Sequence, residues 1–147
     1  MKYLSKLLIP LSVAVMVVAI SSCSGADGAG QSATESADGV YEMRTYTTYD
    51  GKLDDLHRRF EDHTMDFFEK HGMTNVAYWS PQNEELRENT LIYILKHASR
   101  EAAETSWQNF RDDEGWQQVY EASREDGPIV QGIESVYMTE TPYSPEF

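Results

Sequence analysis

Cysteine occurs once in the 147 residues, at position 23, so no disulfide can form within the chain and no paired-cysteine zinc frame exists. Histidine occurs four times, and no two lie at a metal-binding spacing: His57 and His63 are six apart, about 240° around a helix, and no HExxH pair is present. Glycine-rich phosphate loops, a nucleophile elbow and a Ser/His/Asp order are all missing. Basic residues are scarce as well, 12 against 25 acidic ones for a net charge of −13, which sets most of the surface against nucleic acid and anionic headgroups. Metal, phosphoryl-transfer and nucleic-acid functions therefore have no support in composition or spacing, and no cofactor is expected.

What is present begins with a leader. Lys2 and Lys6 precede an apolar run from Leu7 to Ile20, closed by small residues; the run is short for a membrane span and reads as a secretory signal. Ile20-Ser21-Ser22-Cys23 resembles the lipobox of bacterial lipoproteins, which implies cleavage after residue 22 and lipidation of Cys23; the alternative is a plain signal peptide with an incidental thiol. Several acyl chains on Cys23 would hold the domain on the cell envelope without spanning it, and Ser24 resembles the sorting pattern for an outer membrane. Residues 23–39 carry no large apolar side chain after the cysteine and read as a flexible linker. Removing residues 1–22 leaves 10 basic against 25 acidic residues, a net charge of −15. Residues 40–140 are then one domain with its own core, and 141–147 a short tail.

The domain is organised around Tyr41 to Trp79. A strand over Tyr41–Tyr46 is followed by a helix from Lys52 to His71, whose positions Leu53, Leu56, Phe60, Thr64 and Phe67 share one face, with Asp54, Asp55, Arg58, Arg59, Asp62 and Asp66 opposite. Asp50 or Gly51 is the expected cap, and Gly72 the stop. A second strand runs from Met73 to Ser80. Thr90–His97 is apolar on both faces, as a central strand is. Ser99 caps a helix with Ala103, Trp107 and Phe110 inward; Asp112-Asp113-Glu114-Gly115 interrupts it, and Trp116, Val119 and Tyr120 continue a second amphipathic piece. A last strand is expected over Ile133–Thr139. Strand, helix, strand, strand, helix, strand is the α+β, ferredoxin-like βαββαβ order.

Along the first strand Glu42, Arg44 and Tyr46 alternate with Tyr41, Met43 and Thr45. If the apolar set meets the helices, the charged pair and the tyrosine lie on the helix-free face, closed by a second copy stacked sheet on sheet into a dimeric α/β barrel. A ligand-binding set of Glu42, Arg44 and Tyr46, walled by His63, Tyr78 and Trp79, follows, with a buried ion pair fixing dimer register as the structural alternative.

Tyr41-Glu42-Met43-Arg44-Thr45-Tyr46, Gly51-Lys52-Leu53, His63-Thr64, Phe68-Glu69-Lys70-His71-Gly72-Met73, Tyr78-Trp79, Ser99 to Ala103, Trp107 and Phe110-Arg111-Asp112 resemble the NIPSNAP family over nearly all of residues 40–140. The resemblance implies a ferredoxin-like dimeric barrel and brings no agreed catalytic motif. Three functions are open on this reading: an envelope-anchored homodimer binding a small, partly apolar molecule or a protein partner; a cofactor-independent or haem-dependent monooxygenase on the same barrel; or a part of a surface assembly. In the enzyme, His63 or Tyr78 would handle the proton, and His63, His71 or His97 would ligate a haem, although no attachment motif is present.

Overall fold

The computed structural model describes residues 39–145. The expected signal segment 1–22, the lipidated Cys23 and the linker up to residue 38 lie outside the described residues.

β1 spans Val40–Thr48, β2 Thr74–Trp79, β3 Thr90–His97 and β4 Val130–Met138. They form one sheet in the order β2-β3-β1-β4, with every neighbouring pair antiparallel. β1 and β3 thus hold the centre, as the two-sided apolar character of Leu91 to Leu95 required. β1 starts earlier than expected. Gly39, at the end of the expected linker, is already buried: a Cβ there would stand 2.2 Å from the His97 carbonyl oxygen, so only glycine allows the first residue of the domain to run so close to β3.

The first helical region is three pieces: α1 over Leu53–Arg59, a π-helical turn over Phe60–Thr64, and α2 over Met65–Lys70. The expected cap at Asp50 or Gly51 is not used; Lys52 occupies the cap without a side-chain bond, and its ammonium meets Asp55 at 3.1 Å. The π turn adds a residue to the local period and re-phases the buried face. Phe68 is the residue fully buried beyond the turn, Phe67 is only partly so, and Arg59, read from helical period as part of the solvent arc, is buried. Gly72 at φ 77° ends α2, with the Met73 amide donating to the Phe68 carbonyl at 2.9 Å and the Met73 side chain buried, a Schellman-type stop.

α3 covers Arg100–Asp112 and α4 Glu114–Ala122. Ser99 caps α3 through the Ala102 amide at 3.1 Å. Asp113, between them, does more than break a helix. Its carboxylate takes the amides of Gly115 and Trp116 at 2.8 and 3.2 Å, and also Lys70 at 2.6 Å and His71 at 2.8 Å. Lys70 first, then these amides and His71, hold its carboxyl well below the usual range. One side chain therefore fastens the end of α2 to the start of α4.

The core gathers Leu56, Phe60, Phe68, Leu91, Tyr93, Leu95, Trp107 and Phe110 with Tyr46. Tyr93 is its hub, 5.2–5.9 Å from the rings of Tyr46, Phe60, Phe68 and Tyr78. From β1 and β3 this cluster takes only Tyr46, Leu91, Tyr93 and Leu95. Pairing Glu42 with Leu95, Arg44 with Tyr93 and Tyr46 with Leu91 puts all six on the same side. The expected orientation of β1 is thus corrected: Glu42, Arg44 and Tyr46 face the helices, and Met43, Thr45, Ile92 and Ile94 lie on the open face. Leu91, Tyr93 and Leu95 provide the apolar surface that the helices cover, and β1 follows the register β3 imposes.

Candidate functional site

Glu42 is 1% exposed and accepts four hydrogen bonds. Arg44 Nη1 and Ser135 Oγ donate to Oε1, each at 2.6 Å, and Trp107 Nε1 at 2.6 Å and His97 Nε2 at 3.0 Å reach Oε2. Three strands and α3 contribute a donor, so the carboxylate ties the helix to the sheet. Burial would raise its pKa, but the bonds from His97, Ser135 and Trp107 and the charge of Arg44 lower it to about 2. His97 Nδ1, on the far side of the ring, is buried and unbonded.

Arg44 lies 4.2 Å from the centre of the Trp107 ring and 5.6 Å from that of Tyr46. Burial opposes its charge; the oxygens of Tyr46, Tyr93 and Glu42 outweigh it and hold the guanidinium above its ordinary pKa. Arg59 comes to the same region from the other direction. Thr64 Oγ1 donates to the Arg59 carbonyl at 3.0 Å, five residues back across the π turn. The Arg59 guanidinium reaches Ser123 Oγ at 3.3 Å and stands 5.7 and 5.5 Å from the rings of Trp116 and Tyr120. Among the described residues it has no ion-pair partner, whereas Arg44 has Glu42. Burial pushes the Arg59 pKa down, against the influence of Tyr46, Tyr120 and Tyr93. The Nε of each arginine is buried without a hydrogen bond.

These two arginines border a cavity of about 520 Å³. Arg44 and Tyr46 of β1 and Val130 and Ile133 of β4 form its sheet side; Trp107 and Phe110 of α3 and Trp116 and Tyr120 of α4 form its helix side. The space exists because the core aromatics draw the helices over β2, β3 and β1, while β4, at the edge, stays largely exposed. Beside it, sharing Arg44 and Trp107, a second concavity of about 420 Å³ reaches Glu42, Arg100, Ser135 and Tyr137. Volumes of this order suit small organic ligands, and apolar walls with few polar groups are the usual lining.

The six residues expected to form one site fall into three places. Arg44 and Tyr46 share the main cavity, with Glu42 in its annex. His63 is exposed in a polar depression with Asp55, Arg58 and Asp62, separated from the cavity by Arg59, which borders both. Tyr78 and Trp79 line a groove with His57, Phe60 and Met65 at the β2 edge. Tyr78 stacks on Tyr93 and donates to Asn75 Oδ1; burial, then Glu69 and Tyr46, raise its pKa, which makes its proton hard to release. The histidines considered for haem do not converge: His97 Nε2 is taken by Glu42, His71 by Asp113, and His63 faces outward. Among the described residues no group of three or more His, Cys, Asp or Glu is placed to hold a metal, and no helix is long and apolar enough to cross a membrane.

Helical spacing hid Arg59, because the π turn is not encoded in a 3.6-residue period. A threonine five residues after the arginine, able to bond back to its carbonyl, is the local feature that accompanies it. Trp116 and Tyr120 were legible as members of one amphipathic piece, though not as partners of a buried cation.

The NIPSNAP family model matches residues 41–145. No curated protein matches the chain. Among solved structures, a NIPSNAP family protein of unknown function from Agrobacterium tumefaciens superposes with a TM-score of 0.64 at 19% identity, covering 75% of this chain and 95% of its own. An uncharacterised NIPSNAP-like domain protein from Burkholderia xenovorans gives 0.64 at 13% identity, covering 75% and 91%. SnoaB, a cofactor-independent oxygenase from Streptomyces nogalater, gives 0.50 at 17% identity, covering 75% and 100%. At these identities the likeness to solved structures speaks for the ferredoxin-like fold alone.

Proposed function

The chain belongs to the NIPSNAP family, and on that footing we propose that it is an envelope-anchored homodimeric module that takes a small, partly apolar molecule into the cavity between its sheet and α3–α4. The observation that carries this reading is the cavity wall. Trp107, Phe110, Trp116 and Tyr120 stand against Arg44 and Arg59, both with a buried nitrogen that bonds to nothing. Buried polar atoms in folded proteins are nearly all bonded, and two incompletely bonded guanidiniums set among aromatic rings on one cavity are what a polar group of a ligand would complete.

The pocket lies on the helix-covered side, so ligand and partner copy would use opposite faces. Support for the dimer comes from the open face, where Met43, Ile92 and Ile94 are partly exposed and Val136 and Trp79 about half exposed. An apolar sheet face of this kind is covered in stable folds by a second layer. Support for the anchor is the lone Cys23 after a basic and apolar leader. Cys23→Ser should move the protein from the membrane fraction to the soluble one and end incorporation of labelled fatty acid.

The unit from Glu35 onward contains the whole sheet and core of residues 39–145 and suits a ligand screen by thermal shift. Ligands of the cavity should raise the melting midpoint of the wild-type unit and not that of Ile133→Trp, which fills the mouth from an exposed edge-strand position. Equal stabilisation of both would place the ligand elsewhere. The oxygenase alternative rests on the fold shared with SnoaB. Its two expected proton handlers, His63 and Tyr78, lie away from the cavity, so binding is the reading the geometry favours.

A further inference from the structure

Arg59 is the least expected side chain in the molecule. It is 6% exposed, it has a carboxylate partner in none of the ion pairs among the described residues, and one of its nitrogens bonds to nothing. Hydroxyl and ring contacts from Ser123, Trp116 and Tyr120 ease such a charge without neutralising it. A buried cation without a counter-ion is costly to keep, and a bound anion would offset that cost.

The other charges around the cavity leave that vacancy in place. Arg44 is matched by Glu42 at 2.6 Å; Glu121, the one carboxylate on the lining, is drawn 3.8 Å from Arg124; Arg111 donates to Gln108 and adds a second positive group at the mouth. The carboxylates of Asp55, Asp62, Glu125 and Asp126 line the separate depression that Arg59 also borders, and among the described residues none forms an ion pair with it. Within a strongly acidic protein, this cavity is locally positive.

We propose that the ligand is a carboxylate on an apolar body, its charge taken by Arg59 with Arg44 beside it and its hydrocarbon laid against Trp107, Phe110 and Trp116. Arginine's planar fork suits a carboxylate, and two such forks, Arg59 and Arg44, line the cavity. The inference rests on the cavity being the binding site and adds the sign of the ligand's charge.

The test uses matched pairs titrated calorimetrically into the unit from Glu35 onward: 2-naphthoate with methyl 2-naphthoate, and decanoate with methyl decanoate, which separate aromatic from aliphatic bodies. At least one acid should bind about tenfold or more tighter than its ester, and Arg59→Met should erase that preference while Arg59→Lys retains part of it. Arg59→Met should also raise the melting midpoint of the ligand-free protein, because it removes an unneutralised buried charge; an arginine kept only for packing would lower it. Esters that bind as well as their acids would overturn the charge assignment and leave the cavity reading intact. Binding by no member of either pair would overturn both.

Discussion

The two faces of β1 differ in the opposite sense from most half-buried strands. Glu42, Arg44 and Tyr46 point at the helices, while Met43 and Thr45, with Ile92 and Ile94 beside them on β3, point away from them. A shift of one residue in β1 would exchange the two sets. It would bury a methionine and release a carboxylate and a guanidinium, but it would also take Tyr46 out of the core. The chain keeps this mixed set inside because Tyr46 packs on Phe60 and Tyr93 and both oxygens of Glu42 are bonded, so core packing and the polar network together hold the register that β3 imposes. The partly exposed apolar set outside has the complementary meaning: among the described residues nothing covers it, and a second copy is the proposed cover.

The largest effect that bears on this comparison is the loss of the inner carboxylate. Glu42→Ala leaves Arg44 without its counter-ion and strips partners from Trp107, His97 and Ser135, so unfolding in urea should show a loss of about 3–5 kcal/mol. Met43→Ala, one residue away on the open face, should cost less than about 1 kcal/mol in monomer. Similar costs for the two would mean that the network contributes little.

Acid should discriminate almost as strongly. In the fold the Glu42 carboxyl titrates at about 2 against an ordinary value of 4.5, so the unfolded chain takes up the proton first. Its stabilisation is complete above pH 4.5 and is lost as pH falls through 2, about 3 kcal/mol in all. The slope of unfolding free energy against pH in that window should flatten in Glu42→Gln. An unchanged slope would assign the acid sensitivity to other carboxylates, Asp113 first among them.

On the open face the corresponding experiment is Ile94→Asp, which places a charge at the middle of the bare sheet. Light scattering should give a dimer mass for the wild-type unit and a monomer mass for the variant at micromolar concentration, a weakening of at least tenfold, or about 1.4 kcal/mol. A monomeric wild type would remove the second copy from the comparison and leave the apolar face to another partner.

Most of the layer architecture was legible because it depends on period and punctuation. Thr90–His97, the Ser99 cap, the break at Asp113 and the stop at Gly72 are local signals, and each holds in three dimensions. The orientation of β1 was not local. Glu42 and Arg44 read as a pair for the helix-free face until His97 and Trp107, more than fifty residues on, are placed beside them. His63, Tyr78 and Trp79 were grouped with β1 because they share its half of the sequence; the π turn and the β2 edge carry them to separate depressions. Arg59 was assigned to solvent by a regular helical wheel, and no wheel includes the extra residue of the π turn.

That turn supplies the smallest and most specific expectation. Thr64 is buried, and its hydroxyl bonds to the Arg59 carbonyl at 3.0 Å, so the residue that ends the π turn also fixes the backbone of the buried arginine. Thr64→Val keeps the shape and removes the bond, and should cost about 1 kcal/mol in urea unfolding. The cost should be accompanied by weaker binding of the preferred acid with the ester unaffected, since only the charged partner depends on where Arg59 points. If stability falls while the acid-to-ester ratio stays the same, the turn supports the inner face as structure and Arg59 is positioned by Trp116 and Tyr120 instead.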